Sequence, residues 1–281
     1  MSATRERSVP ARGRRAPRPE SRYPTREIGG ATYFTSRDVY GDLVLVVKRF
    51  PGPPTAAAES PRPFVLVHGI GVSSRYFQPL AARLARLGPV WVVDLPGYGA
   101  SPKPPRHVTL EDHAEVLARF LQRAGIRNPV VVGHSMGSQV VSVAAHRHPE
   151  LVDRLVMLGP TTDDRRRSVP QQSWSLFIEM LKAPWSAKWV VGSDYLFRCG
   201  IPYYIRQLPN LIDDRPEDRM PQLPMPVLVV RGDGDPICPP RWTRHLADLA
   251  PQGRHAEVRG PHVIMFTDPG RTAELLLEHA R

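Results

Sequence analysis

The residues able to do chemistry gather around one serine. Gly133-His134-Ser135-Met136-Gly137 follows the apolar run PVVV and precedes QVVSVAAHRH, which reads as a helix. A G-x-S-x-G turn between a strand and a helix is a place to hold a nucleophile, because it lifts the serine hydroxyl clear of the backbone at the C-terminal edge of a sheet. Side chains at Gly133 and Gly137 would collide with the neighbouring strand and helix, which explains the two glycines. A serine hydroxyl is a poor nucleophile at neutral pH, so a base must take its proton and a carboxylate must hold that base in one tautomer. Of ten histidines, His262 is the candidate base: it follows the short alternating run Ala256 to Val258, sits in a Gly-Pro-His turn and precedes the helix-like ending PGRTAELLLEHA. Its candidate acid is Asp235, 27 residues earlier at the end of an apolar strand, with Asp233, Asp163 and Asp164 as alternatives. The backbone N–H of Met136, next to the serine at a helix start, is a donor for the negative oxygen of a tetrahedral intermediate.

These residues need a scaffold, and the chain supplies one from residue 31 onward. Short apolar runs at Leu43 to Val47, Phe64 to Val67, Val90 to Val93, Val130 to Val132, Leu155 to Leu158 and Val227 to Val230 alternate with helical stretches. That alternation predicts a largely parallel sheet covered on both faces. Ser73 or Ser74 could cap a helix whose Phe77, Leu80, Leu84 and Leu87 share a stripe ended by Gly88. Thr109 with Asp112 forms a capping box for a second helix, whose apolar face is Val116, Leu117, Phe120 and Leu121 and whose stop is Gly125. Residues 160–225 are far too long for an ordinary loop and predict an inserted subdomain. Eight of the chain's 21 aromatic residues lie there: Trp174, Phe177, Trp185, Trp189, Tyr195, Phe197, Tyr203 and Tyr204. Some would pack the insertion onto the body, and the rest could line an apolar pocket.

Taken together these motifs resemble the α/β-hydrolase family, in its serine-nucleophile, esterase- and lipase-like branch, from about Tyr33 to the C-terminus. FVLVHGIG (64–71) is similar to the family's strand and oxyanion loop, VVDLPGYGASPKP (92–104) to its D-x-P-G-x-G-x-S loop, and VLVVRGDGDPICP (227–239) to its acid-bearing strand and turn. The resemblance implies an α/β fold with a mostly parallel eight-stranded sheet, helices on both faces and a helical lid after the sixth strand. It divides the chain into a disordered basic tail (1–28), a hydrolase core (29–159 and 226–281) and a lid (160–225). The order Ser135, Asp235, His262 is the family's triad order. The resemblance also assigns the second oxyanion donor to the N–H of Ile70, with Gly69 and Gly71 permitting close backbone approach and His68 packing beside the loop. It gives His134 no proton transfer. His255, which precedes its strand, and the helix-end pair His146 and His148 have no assigned chemistry.

Composition narrows the function. The net charge of +11 comes from 38 Lys and Arg against 27 Asp and Glu, and residues 1–27, with eight Arg and three Glu, supply +5 of it. The remaining +6 is spread over the whole body and gives little reason to expect nucleic-acid binding. No apolar run approaches the roughly 18–20 residues of a spanning helix, so no integral membrane segment is expected. Cys199 and Cys238 alone make neither a disulfide framework nor a metal site, which points to a reducing cytoplasm and no metal or cofactor. The reading is a serine hydrolase acting on a carboxylic ester or related acyl bond of a small to medium apolar substrate. Carbon-carbon hydrolases and thioesterases of the same fold, or a non-catalytic receptor, are its alternatives. The carbon-carbon branch usually has Asn before the serine and Trp after the histidine, where this chain has His134 and Val263. Acyl group, leaving group and oligomeric state have no signature in the sequence.

Overall fold

A computed structural model describes residues 25–53, 62–165, 167–168, 170–171 and 185–281. One nine-stranded sheet runs through it: β1 (Thr25–Ile28), β2 (Ala31–Tyr40), β3 (Leu43–Phe50), β4 (Phe64–Val67), β5 (Val90–Asp94), β6 (Val130–His134), β7 (Arg154–Leu158), β8 (Val227–Gly232) and β9 (Gly253–Val258). The spatial order is β1-β2-β3-β5-β4-β6-β7-β8-β9. Strands β1 to β3 are antiparallel to one another and β3 is antiparallel to β5, and every pairing from β5 to β9 is parallel. Strand order reverses at β4, so the loops leaving β4 and β6 flank a crevice at the sheet's C-terminal edge, where open α/β sheets bind ligands.

The central strands are buried on both faces, which is why they read as unbroken apolar runs. Val65 and Val67 of β4 join one layer with Val131, Met157 and Val229, while Phe64 and Leu66 join the other with Val132, Val156 and Leu228. Helices α2 (Leu110–Ala124) and α3 (Met136–Arg147) cover the first layer, and α1 (Gln78–Leu84) the second. Ser73 caps the 3-10 turn Ser74–Phe77 that leads into α1. Because α1 ends at Leu84, Leu87 falls in the turn beyond it and is exposed, off the expected stripe.

The sheet has nine strands where eight were expected. The extra one, β1, has the sequence TREI, offers no apolar run and is held by pairing with β2 and by Ile28 packed against the core. The expected tail boundary at residue 28 is therefore four residues late, and residues 1–24 lie outside the described residues. By the chain's own count the insertion follows the seventh strand. Its described part contains α4 (Trp185–Ser193), a π-helical stretch (Asp194–Cys199) and α5 (Ile201–Asp213). Cys199, Tyr203, Leu208 and Leu211 pack it onto the core. Trp185, Trp189 and Phe197 are 84%, 78% and 84% exposed and, among the described residues, join neither core cluster. Trp174, Phe177, Ile178 and Leu181, which recur at helical spacing in the insertion, lie outside the described residues.

Helix α2 starts and stops as its sequence demands. Asp112 N–H donates to Thr109 Oγ1 at 3.2 Å, Thr109 N–H donates to Asp112 Oδ2 at 3.1 Å, and Gly125 closes the helix at φ 64°. Thr109→Ala removes one arm of this box and is expected to lower stability by about 1 kcal/mol, measured by urea denaturation.

Candidate active site

β6 delivers Ser135 to the reversal point of the sheet. The residue sits at φ 56°, ψ −124°, a conformation that side-chain-bearing residues rarely adopt. The surrounding backbone holds it there: Ser135 N–H donates to the Leu158 carbonyl at 2.9 Å, and Ser138 donates to the Ser135 carbonyl through its N–H at 2.8 Å and to the Gly133 carbonyl through its hydroxyl at 2.9 Å. A Cβ on Gly133 would run into the Gly137 carbonyl, and one on Gly137 into the Val67 carbonyl. The turn is thus wedged between α3 and the end of β4.

The oxyanion-like loop lies directly against the serine. A Cβ on Gly69 would stand 2.9 Å from Ser135 Cβ and 3.4 Å from its Oγ. His68, fully buried, pins this loop: its Nδ1–H donates to the Gly69 carbonyl at 2.7 Å, and its Nε2 accepts from Leu95 N–H at 3.0 Å. Burial pushes the His68 pKa down, consistent with a neutral ring able to donate on one side and accept on the other. Among the described residues, neither Ile70 N–H nor Met136 N–H is spent on a backbone carbonyl.

The loops after β8 and β9 bring Asp235 and His262 together. His262 Nδ1 lies 2.7 Å from Asp235 Oδ2, and the pair is 5% and 4% exposed. Asp235 Oδ1 accepts from the N–H groups of Ile237 at 2.7 Å and Cys238 at 3.1 Å, which fixes the carboxylate in plane. With Nδ1–H directed at a carboxylate, the imidazole presents Nε2 as its basic atom. Gly159, at the end of β7, makes space for that ring: a Cβ there would approach His262 Cε1 to 2.8 Å and Nδ1 to 2.9 Å. Arg231 braces the acid loop, donating to the carbonyls of Cys238 at 2.8 Å and Asp235 at 3.2 Å.

Comparison with known proteins bears on the fold. Residues 62–190 match the model of the alpha/beta hydrolase fold. An enol-lactonase from Burkholderia xenovorans superposes with a TM-score of 0.73 at 16% identity, over 87% of this chain and 99% of that one. This chain is an α/β-hydrolase by fold. Sequence relatives include an uncharacterised protein of Mycobacterium tuberculosis, 27% identical over 250 residues that span 75% of this chain and 73% of that protein. A pimeloyl-[acyl-carrier protein] methyl ester esterase of Neisseria meningitidis is also 27% identical, over 231 residues spanning 72% of this chain and 83% of the relative.

The other candidate residues are occupied elsewhere. Asp233 is exposed and accepts from Gly260 N–H at 2.8 Å, bracing a turn. Asp163 and Asp164 both pair with Arg241. His255 Nε2 contacts Thr243 Oγ1 at 3.0 Å, His148 pairs with Glu115 at 3.0 Å, and His146 is exposed. Cys238 is buried and its thiol donates to the Pro160 carbonyl at 3.1 Å. Asp235, Cys238 and His262 are the one group among the described residues whose metal-ligating atoms cluster, within 4.8 Å. No helix among the described residues is long and apolar enough to cross a membrane.

Sequence reasoning missed Gly159, Arg231 and Tyr76, whose phenol accepts from Gly69 N–H at 2.8 Å. Only Gly159 had a local signal, the Gly-Pro that ends the LVML run. Because Gly69 touches the serine, Gly69→Ala is expected to leave the circular-dichroism spectrum intact while slowing capture of Ser135 by a fluorophosphonate at least about tenfold.

Proposed function

We propose that this α/β-hydrolase is a serine hydrolase that cleaves a carboxylic ester, or a related acyl bond, of a small to medium apolar substrate. The observation that carries the reading is the buried 2.7 Å Asp235–His262 pair at the same sheet edge as a serine held at φ 56°. In the proposed cycle His262 Nε2 takes the Ser135 proton as Oγ attacks the acyl carbon. Asp235 keeps the proton on Nδ1 and stabilises the imidazolium that forms. The N–H groups of Ile70 and Met136 receive the developing oxyanion, an interaction that strengthens only as charge builds on oxygen. His262 then protonates the leaving group, and water, deprotonated by the same ring, releases the acid from Ser135. Gly133, Gly137, Gly69, Gly71 and His68 keep these donors and the nucleophile in register.

The insertion serves as the lid in this reading. Tyr195 packs its ring where a Cβ on Gly71 would be, and Ser73 Oγ donates to Asp194 Oδ2 at 2.6 Å. Arg75 pairs with the same carboxylate at 2.9 Å, and Lys103 reaches the carbonyls of Gly97 and Cys199. The lid is thereby fastened to both loops that frame the serine. Its aromatic rings favour an apolar acyl or alcohol portion.

The test is hydrolysis of p-nitrophenyl esters of graded acyl length. Ser135→Ala and His262→Ala are each expected to lower kcat at least about 1,000-fold with thermal stability nearly unchanged, and Asp235→Asn to lose most of the rate. Activity that survives in Ser135→Ala would remove the nucleophile assignment. Loss of activity in Asp163→Asn with retention in Asp235→Asn would move the acid to β7.

A further inference from the structure

Behind the triad lies a second set of buried polar groups that the proposed cycle does not use. Tyr76 is 1% exposed and His134 3%, and both are enclosed at the root of the nucleophile turn. Gly69 N–H donates to Tyr76 Oη at 2.8 Å, Tyr76 Oη lies 2.8 Å from His134 Nδ1, and His134 Nε2 lies 3.1 Å from the main-chain carbonyl of His262. Their rings stack in the same order. Tyr76 and His134 meet edge-on at 5.3 Å, and His134 and His262 lie 4.5 Å apart between centroids.

The proton positions along this chain follow from the atoms at its ends. A carbonyl oxygen can only accept, so His134 Nε2 must carry a hydrogen. Burial pushes the His134 pKa well below its ordinary value, and the neighbouring His262 acts in the same direction, so the ring is neutral and its Nδ1 is bare. A bare Nδ1 accepts, so the Tyr76 hydroxyl donates to it. The phenol oxygen is then free to accept from Gly69 N–H, which is the bond observed. Each donor has one acceptor, and no other assignment of a neutral ring satisfies both ends.

We propose that Tyr76 and His134 are positioning residues: their one-way hydrogen-bond chain ties the peptide of Gly69, beside the serine, to the main chain of His262, passing through the residue bonded to Ser135. The inference rests on the serine-hydrolase reading given above. Three loops from β4, β6 and β9 must hold a donor, a nucleophile and a base within hydrogen-bonding tolerance, although these loops are separated by 58 and 128 residues along the sequence. None of the three is bonded to the next through the sheet at that level. The Tyr76–His134 chain supplies the missing links, and because it is buried it is stiff: breaking one bond leaves a dry donor or acceptor without a partner. A small displacement of either loop is enough to cost a large factor in rate.

Two measurements on the full-length protein test this. The first is nitrogen-15 NMR of the histidine rings, which is independent of any substrate. His134 is expected as a single neutral tautomer protonated at Nε2, and a charged ring or an Nδ1–H tautomer overturns the chain. The second compares Tyr76→Phe, His134→Leu and His134→Gln in the rate of fluorophosphonate capture by Ser135, in kcat and KM on a p-nitrophenyl ester, and in Tm. Tyr76→Phe and His134→Leu are expected to lose at least about tenfold in capture and in kcat with KM little changed. His134→Gln, whose amide can place an N–H where Nε2 stands, is expected to recover part of that loss at a Tm no higher than that of His134→Leu. Should Leu and Gln be equally active, or should rate follow Tm alone, these residues only fill space and the proposal fails. A wild type inert to phosphonate and ester, yet showing the expected His134 tautomer, would overturn the serine-hydrolase reading and with it the positioning role, while leaving the hydrogen-bond chain itself established.

Discussion

The arrangement depends on one steric constraint: between β6 and α3 the chain reverses direction in so little space that the residues on either side of the turn cannot carry a Cβ. Gly133 faces the backbone of Gly137, and Gly137 faces the backbone at the end of β4. With both glycines pressed inward, Ser135 is held at φ 56° at the sheet's edge, where it is only 8% exposed. The cost of that conformation, of order 1–3 kcal/mol, is borne by a sheet whose central strands are buried on both faces. Parallel pairing of β4, β6 and β7 fixes the register, so the turn has no lower-strain alternative within the fold.

From that point, each neighbouring strand end contributes one element. β4 ends in a glycine that touches the serine, β7 in a glycine that leaves room for an imidazole, β8 in a buried carboxylate and β9 in the imidazole itself. A carboxylate charge is costly to bury unless it is paired and hydrogen-bonded. Asp235 is satisfied by two backbone N–H groups as well as by His262, and Arg231 closes the loop around it. The second histidine of the site, His134, is buried without any carboxylate beside it. Burial favours its neutral form, which is what a ring that donates at one nitrogen and accepts at the other requires.

The insertion is held by polar contacts as well as by the apolar packing of Cys199, Tyr203, Leu208 and Leu211. A single buried carboxylate, Asp194, gathers Ser73, Arg75 and Arg198, while Tyr203 donates to the Pro96 carbonyl at 3.0 Å. Apart from Arg198, which lies in the insertion itself, those partners sit on the loops after β4 and β5. The same two loops are stitched to each other by Asp94, which accepts from Ser74 N–H at 2.7 Å and Ala100 N–H at 3.0 Å. Burial alone would push the Asp94 carboxyl up, but the nearby Lys48 ammonium and the Ser74 hydrogen bonds hold it below the usual carboxylate range. Insertion and candidate site therefore share a polar framework on the loops after β4 and β5.

The sequence by itself determined six strands, β3 to β8, each of which carries an apolar run, and it determined α2, whose caps are local chemistry. It also determined the turn around Ser135, since two glycines at that spacing meet a requirement within five residues. The pairing of Asp235 with His262 was legible as a candidate among four carboxylates, and tertiary structure separated them by giving Asp163 and Asp164 an arginine and Asp233 a turn. β1 was not legible: TREI has no apolar period, and only the partner strand makes it a strand. The exposure of Trp185, Trp189 and Phe197 was equally hidden, because an aromatic residue's type says that it can be buried and only packing says whether it is. The Tyr76–His134 chain could not be read from sequence at all. Its members are 58 and 128 residues apart, and a hydrogen bond leaves a local mark only when its donor and acceptor are neighbours along the chain.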